Sequence, residues 1–302
     1  MNPLPEHGTP AGDAFLAIQK LARSTSSDVQ ELLTLYALEG VLARVAQSPW
    51  KEEFVLKGGV LLAAFDLRRP TKDIDLQATG LPNEVEAVLD RVRTVAGLDL
   101  DDGLTFPPDS VTAQPIREED EYAGVRVRLV GFLGRSRLTI GADVNFGDPI
   151  WPHPTEIVVP RLIDRGQKPL RMLGYPLTMV VAEKVVTMLE RAEANTRWRD
   201  FADVFVISGS QKFGADEVRA ALDVVADYRA AELIPLLPVL SDMPDIAEGR
   251  WRAWRQRQAQ GDRLPATFAE ILAGVAAFVD PVLGSSSVTG GAWDPRRRSW
   301  SW

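Results

Sequence analysis

Cysteine is absent from the 302-residue sequence, and histidine occurs only at His7 and His153. The first absence excludes disulfides, a thiolate nucleophile and any thiolate metal site, and the second argues against histidine-based chemistry. No apolar run approaches bilayer-spanning length. The opening MNPLPEHGTPAG lacks the basic, apolar and small-residue progression of a secretory signal, so a cytoplasmic location without a membrane partner is expected. Positive charge is in deficit, with 34 Lys and Arg against 42 Asp and Glu, a formal charge of −8. That balance argues against wholesale coating of nucleic acid but leaves room for a local basic patch. What is present, 45% hydrophobic and 25% charged residues, is the profile of a globular chain long enough for two domains.

Residues 1–12 read as flexible, and a first long helix is expected in SSDVQELLTLYALEGVLARVAQS, after a serine and aspartate start signal. VLLAAFDL reads as a short helix, DIDLQA as a strand, and PNEVEAVLDRVRTVAG as a helix with proline at its start and glycine at its end. TAQPIRE, GVRVRLVGFL, RLTIGADVNFG and EIVVPRL alternate like strands, and GFLGRSR favours a hairpin. After Pro176 the pattern turns helical in LTMVVAEKVVTMLERAEA, WRDFADVFVIS, ADEVRAALDVVADY, AEGRWRAWRQRQAQ and TFAEILAGVAAFVDPVL, and SSSVTGGAWDPRRRSWSW reads as a loop-like tail. The expectation is an α+β protein: a mixed-sheet lobe over residues 1–172, a mostly helical lobe over 173–284 and a tail over 285–302.

The chemistry centres on KGGVLLAAFDLRRPTKDIDL, residues 57–76. On a strand Asp73 and Asp75 point one way while Ile74 and Leu76 point the other, into a core. Like charges so placed are comfortable with a cation between them, and hard divalent ions take carboxylate oxygens. Asp143, among apolar and small residues in LTIGADVNFGD, needs a partner. Together the three aspartates suit magnesium held partly by substrate phosphates, with the backbone amides of Gly58 and Gly59 free to approach those phosphates. The plainer alternative is a tight glycine turn and a solvated strand face.

FVLKGGVLLAAFDLRRPTKDIDL, ADVNFGDPI, AEKVVTMLER and TRWRDFADV, in that order, resemble the AbiEii/AbiGii-type toxin nucleotidyltransferases, including the MenT-like toxins, over about residues 30–210. The resemblance implies a polymerase-β-like nucleotidyltransferase fold, an NTP substrate with Mg²⁺, a cognate antitoxin partner and, for MenT-like members, extension of the 3′ end of tRNA that blocks aminoacylation. It makes Asp73 and Asp75 the metal ligands and Gly58 and Gly59 the nucleotide-binding turn. Asp143 matches the acidic strand motif, completing the metal site or activating the acceptor hydroxyl. Glu183 and Lys184 match an acidic-basic pair with Lys184 facing the triphosphate, and Arg199, Asp200 and Asp203 match the last motif, where lysine is commoner than Arg199. Transfer to a protein or small-molecule hydroxyl, or a nucleotide-responsive binding module without chemistry, are the alternatives.

Several residues carry competing readings. Lys184 lies between apolar residues and either reaches into a cleft or snorkels to the surface, while Asp200 and Asp203 share a helix face from which they can orient Lys184 or Arg199. Arg68, Arg69 and Lys72 form either a phosphate-facing edge, with Lys72 in nucleotide binding, or a solvated basic run. Trp251 and Trp254, among Arg250, Arg252, Arg255 and Arg257, are expected in a helix core rather than on a base-stacking surface, and RRRSWSW touches RNA or an antitoxin or is a loose end. Thr71 is a candidate phosphorylation site, since a phosphate there would repel the incoming triphosphate and compete for Lys72.

Overall fold

The computed structural model describes residues 6–116, 124–258, 264–284 and 290–302. The strand expectation reaching Arg117 and Glu118, the helix expectation reaching Ala259 and Gln260, and tail residues 285–289 lie outside the described residues. The chain divides into two compact units, Met1–Asp148 with Pro154–Tyr175, and Pro149–His153 with Pro176–Trp302.

The first unit begins with a helix where flexibility was expected. Helix α1 (Pro10–Thr25) starts because the Thr9 side chain accepts from Gly12 N while Pro10 occupies the first helical turn, where its missing N–H costs nothing. Helix α2 (Val29–Gln47) is capped by Asp28, whose carboxylate accepts from Glu31 N at 2.9 Å. Strand β1 (Phe54–Lys57) runs straight into the one-turn helix α3 (Gly58–Leu61) and a 3₁₀ turn (Leu62–Phe65), followed by β2 (Asp73–Ala78) and α4 (Val85–Ala96). Then come β3 (Leu104–Thr105), β4 (Thr112–Ile116), β5 (Gly124–Leu133), β6 (Ser136–Phe146), β7 (Thr155–Val159) and β8 (Leu170–Gly174). The β5–β6 hairpin turns at Gly134, whose φ of +57° suits glycine, as GFLGRSR implied.

These strands form one mixed sheet in the order β3-β5-β6-β2-β1-β8-β7, with β4 also paired to β5. Strand β2 lies parallel to β6 and antiparallel to β1. Ile74 and Leu76 are 0% and 4% exposed, and with Val127, Ala142 and Val144 they make the apolar face. Helix α2 packs against β6 and β8, and α4 against β4 and β5. Fully burying one such side chain contributes about 1.5–3 kcal/mol. A one-residue slip of β2 would exchange these side chains for Asp73 and Asp75, so the core fixes which face carries the aspartates.

Beside the sheet, Arg44 of α2 is 1% exposed and holds the Asp102 carboxylate at 2.6 and 3.2 Å, while donating to the carbonyls of Gly40, Leu98 and Leu104. Its charge and its hydrogen-bonding capacity are both compensated, the condition under which a buried pair is tolerated.

The second unit contains α5 (Leu177–Arg191), α6 (Trp198–Ser210), α7 (Ala215–Arg229), the short α8 (Leu236–Val239), α9 (Met243–Gln256) and α10 (Phe268–Leu283). Helix α10 starts with a capping box between Thr267 and Glu270 and packs against α6, α7, α8 and α9, while α5 packs on α6 and α7. Trp251 is completely buried and stacks at 5.2 Å on Trp254, so the core reading of this pair holds for Trp251. The described part of the tail, residues 290–302, is not wholly a loop. Strands β9 (Phe213–Gly214), β10 (Ala292–Asp294) and β11 (Ser299–Ser301) form a small antiparallel sheet. Trp293 is 2% exposed and Trp300 stacks on Phe278 at 5.6 Å. The aromatic area buried this way anchors a segment whose glycine and serine content reads as irregular. The unit is thus mostly helical and the first a mixed sheet with helices, the α+β arrangement expected from the sequence.

Replacing Asp102 by Asn leaves the Arg44 charge buried without a counter-ion. A loss of about 3–5 kcal/mol in unfolding free energy is expected by denaturant titration. A loss under 1 kcal/mol would mean that solvent reaches the pair.

Candidate active site

In the first unit the opening glycine turn and the aspartate strand are built against each other. Lys57 stands opposite Asp75 in the β1–β2 register, and the next residue, Gly58, turns with φ +67°. A Cβ at Gly58 would overlap Asp75 Oδ2, so the absent side chain is what lets the carboxylate lie against the turn. Gly141, opposite Asp73 in the β2–β6 register, has the same relation to Asp73 Oδ1. Gly59 faces Arg69 and Thr71, and a Cβ there would come within 2.9 Å of Arg69 Nη1 and of Thr71 Oγ1. Three glycines therefore serve as seats for side chains of the same segment, residues 69–75.

The polar face of the sheet continues across the strands. Asp75 is paired in register with Asp143 on β6, and Asp143 with Arg126 on β5. Arg126 Nε and Nη2 hold the two Asp143 oxygens at 2.8 and 2.7 Å. Asp143 was expected to complete a metal triad; here its carboxylate has a guanidinium as counter-ion. Both partners are partly exposed, at 40% and 25%, so the pair contributes about 1 kcal/mol or less and holds Asp143 only lightly. Beneath the turn, the buried Lys57 donates to Asp148 at 2.9 Å and lies 5.2 Å above the Tyr175 ring, with Gln77 positioned to donate to Asp148. Lys72 is exposed beside Asp73, and the buried Thr71 hydroxyl donates to the Asp73 carbonyl at 3.3 Å. A phosphate on Thr71 would require this turn to open. Arg68 turns away from solvent toward the 3%-exposed Glu39 carboxylate at 3.6 Å, which Arg161 also approaches at 3.4 Å. Burial pushes Glu39 above the usual carboxylate range, with Arg68 the main opposing influence.

In the second unit Lys184 of α5 lies between two carboxylates of α6, Asp200 at 2.5 Å and Asp203 at 2.9 Å. All three side chains are 15% exposed or less. Asp200 and Asp203 thus fix Lys184, one of the partners their shared helix face offered. Arg197, not singled out in the sequence, adds a contact to Asp200 at 3.2 Å, while Arg199 is exposed and Glu183 partly so.

The resemblance of the sequence to nucleotidyltransferases implies a divalent ion at these carboxylates. Among the described residues no group of three or more acidic or histidine side chains is arranged to hold a metal ion. Asp73 and Asp75, on one face and each seated on a glycine, remain a fitting pair for magnesium, which commonly takes one or two carboxylates and completes its shell with water and substrate phosphates.

Comparison with known families places the chain, though not the individual roles of these residues. Residues 40–274 match the model of the AbiEii family, nucleotidyl transferase toxins of type IV toxin–antitoxin systems. The chain belongs to the AbiEii family of nucleotidyltransferase toxins. Two solved Helicobacter pylori structures are similar: JHP933, and a candidate nucleotidyltransferase. Both have a TM-score of 0.42 and 16% identity; the matches cover 72% and 84% of this chain and 81% and 92% of theirs, respectively. No match is found among the curated proteins. The AbiEii match spans Gly58, Gly59, Asp73, Asp75, Asp143, Lys184, Asp200 and Asp203. It also spans residues the sequence reading passed over: Arg126, Lys57, Gln77, Asp148 and Arg197. For Arg126 the usable signal was alternation in GVRVRLV, which puts it on the face opposite Val125 and Val127.

Gly58→Ala should strain the left-handed turn and displace Asp75. A loss of about 2 kcal/mol or more in stability is expected, from the backbone and the overlap together. In an Asp75→Ala background the same substitution should cost measurably less, because the overlap with the carboxylate is gone and only the contact with the residue-75 Cβ, at 2.8 Å, is left. Equal costs in both backgrounds, measured in a double-mutant cycle by denaturant titration, would show that Asp75 does not rest on Gly58.

Proposed function

We propose that this AbiEii toxin transfers a nucleoside monophosphate from an NTP to a hydroxyl of an RNA acceptor, the 3′ end of tRNA, and thereby blocks aminoacylation. The observation that carries the reading is the seating of two same-face carboxylates on glycines, with one of those glycines opening α3 immediately after β1. Asp73 and Asp75 would hold Mg²⁺, which supplies charge neutralisation at the transferring phosphate and withdraws charge from the leaving pyrophosphate. Gly58 and Gly59 leave the backbone open for the triphosphate. Lys184, held in place by Asp200 and Asp203, serves phosphate oxygens, and Arg199 and Lys72 add exposed positive charge to nucleotide binding. Asp143 receives the acceptor proton when Arg126 yields its oxygens, a rearrangement costing about 1 kcal/mol. A cognate antitoxin restrains the toxin, and both act in the cytoplasm.

The reading is tested by incubating the purified protein with each α-labelled NTP, Mg²⁺ and a total extract, then resolving RNA from protein. Label in the tRNA fraction, lost on adding a chelator and lost in Asp73→Ala and Asp75→Ala proteins that still melt cooperatively, is the expected result. Label in protein would redirect the acceptor. Undiminished labelling by both variants would remove these aspartates from the chemistry.

A further inference from the structure

Away from the aspartate face, the first unit carries a polar cavity of about 690 Å³, walled by the last turns of α2, residues 100–102 and residues 161–171. Its walls include RLIDRGQKPLR, residues 161–171, which set four cations against Asp164 in a chain whose formal charge is −8. Two of these cations have carboxylate partners, Arg161 with Glu39 and Arg171 with Glu156 at 2.7 Å. Asp102, also in the wall, is committed to Arg44. Arg165 is different. It is partly buried, and its hydrogen bonds go to neutral oxygens, the Tyr36 hydroxyl at 3.4 Å and the Asp102 carbonyl at 3.3 Å. Lys168 is exposed on the same wall, and among the described residues neither it nor Arg165 has a carboxylate within ion-pair distance. Asp101, exposed on the wall, is the opposing charge.

We infer that this groove holds the sugar–phosphate backbone of the RNA acceptor, with Arg165 and Lys168 as its phosphate contacts. The inference rests on the RNA reading above and extends it to a second contact region. A guanidinium held partly out of water by long bonds to neutral oxygens gains most from an anion with two or more acceptor oxygens, and its planar fork matches phosphate. No aromatic ring is among the lining residues described, so nothing in the groove stacks on a base. That favours backbone phosphates, which fix register without reading sequence, over a bound mononucleotide.

The test uses the full chain without added NTP and measures binding of fluorescently labelled bulk tRNA across a salt series, with ATP as a second probe. Arg165→Gln keeps a donor for the Tyr36 hydroxyl and the Asp102 carbonyl, and Lys168→Glu lies at an exposed position, so the double variant should melt within a few degrees of the parent. It should bind tRNA about tenfold or more weakly, with the slope of log affinity against log salt reduced by about 1–2, and bind ATP unchanged. Unchanged tRNA affinity and slope, lost ATP binding with tRNA binding intact, or no tRNA binding by the parent would each overturn the inference. Labelling by the double variant at saturating acceptor separates the two readings. RNA labelled as by the parent, with tRNA affinity unaltered, fails the groove alone, whereas label in protein from both chains fails the RNA reading itself.

Discussion

The contact between the Asp75 carboxylate and Gly58 is the constraint on which the rest of the candidate site depends. It couples a strand to a turn in a different part of the sequence. The apolar residues Ile74 and Leu76 set the register of β2, the register sets Asp75 opposite Lys57, and the left-handed turn at Gly58 clears the volume the carboxylate occupies. The apolar anchors contribute kilocalories each, so the aspartates are carried to the polar face by the core rather than by any attraction of their own. Gly141 extends the same device to Asp73. Both carboxylates are positioned before any ligand arrives, and the cost of holding two like charges together is met by the fold.

Within each unit the charged groups differ in how firmly they are held. Lys184 sits between Asp200 and Asp203 with all three largely out of water, so removing Lys184 would leave two neighbouring carboxylates that burial penalises by several kilocalories. Arg126 and Asp143 meet in partly solvated surroundings and are tied by about 1 kcal/mol or less. A fixed cation and a readily released carboxylate suit different tasks. The first holds its ammonium in one place, and the second can change partner as a proton approaches.

Much of this was legible in the sequence where periodicity was clean. DIDLQA alternates and is β2 over those six residues, and the glycine-bounded hairpin of β5 and β6 follows its turn signal. Strand β1 is buried at all four positions and so lacks the alternation that would announce it. Helix α1 was hidden by reading HGTPAG as flexible, although Thr9 followed by Pro10 is a start signal. The tail depends on long-range pairing with a two-residue strand and on Trp293 and Trp300 packing against Phe278, none of which is local. At the site, the residue types were legible and their partners were not. That Asp143 answers to Arg126 and that Lys184 answers to two aspartates depend on which strands and helices become neighbours, a property of register and packing.

The most direct measurement is a calorimetric titration of Mn²⁺ into the protein saturated with a non-hydrolysable NTP analogue, comparing the parent with Asp73→Asn and Asp75→Asn. If the two glycine-seated aspartates hold the cation, the parent should bind Mn²⁺ and either substitution should weaken that binding about tenfold or more while the protein stays folded. Mn²⁺ binding of equal strength in the parent and both variants would contradict it.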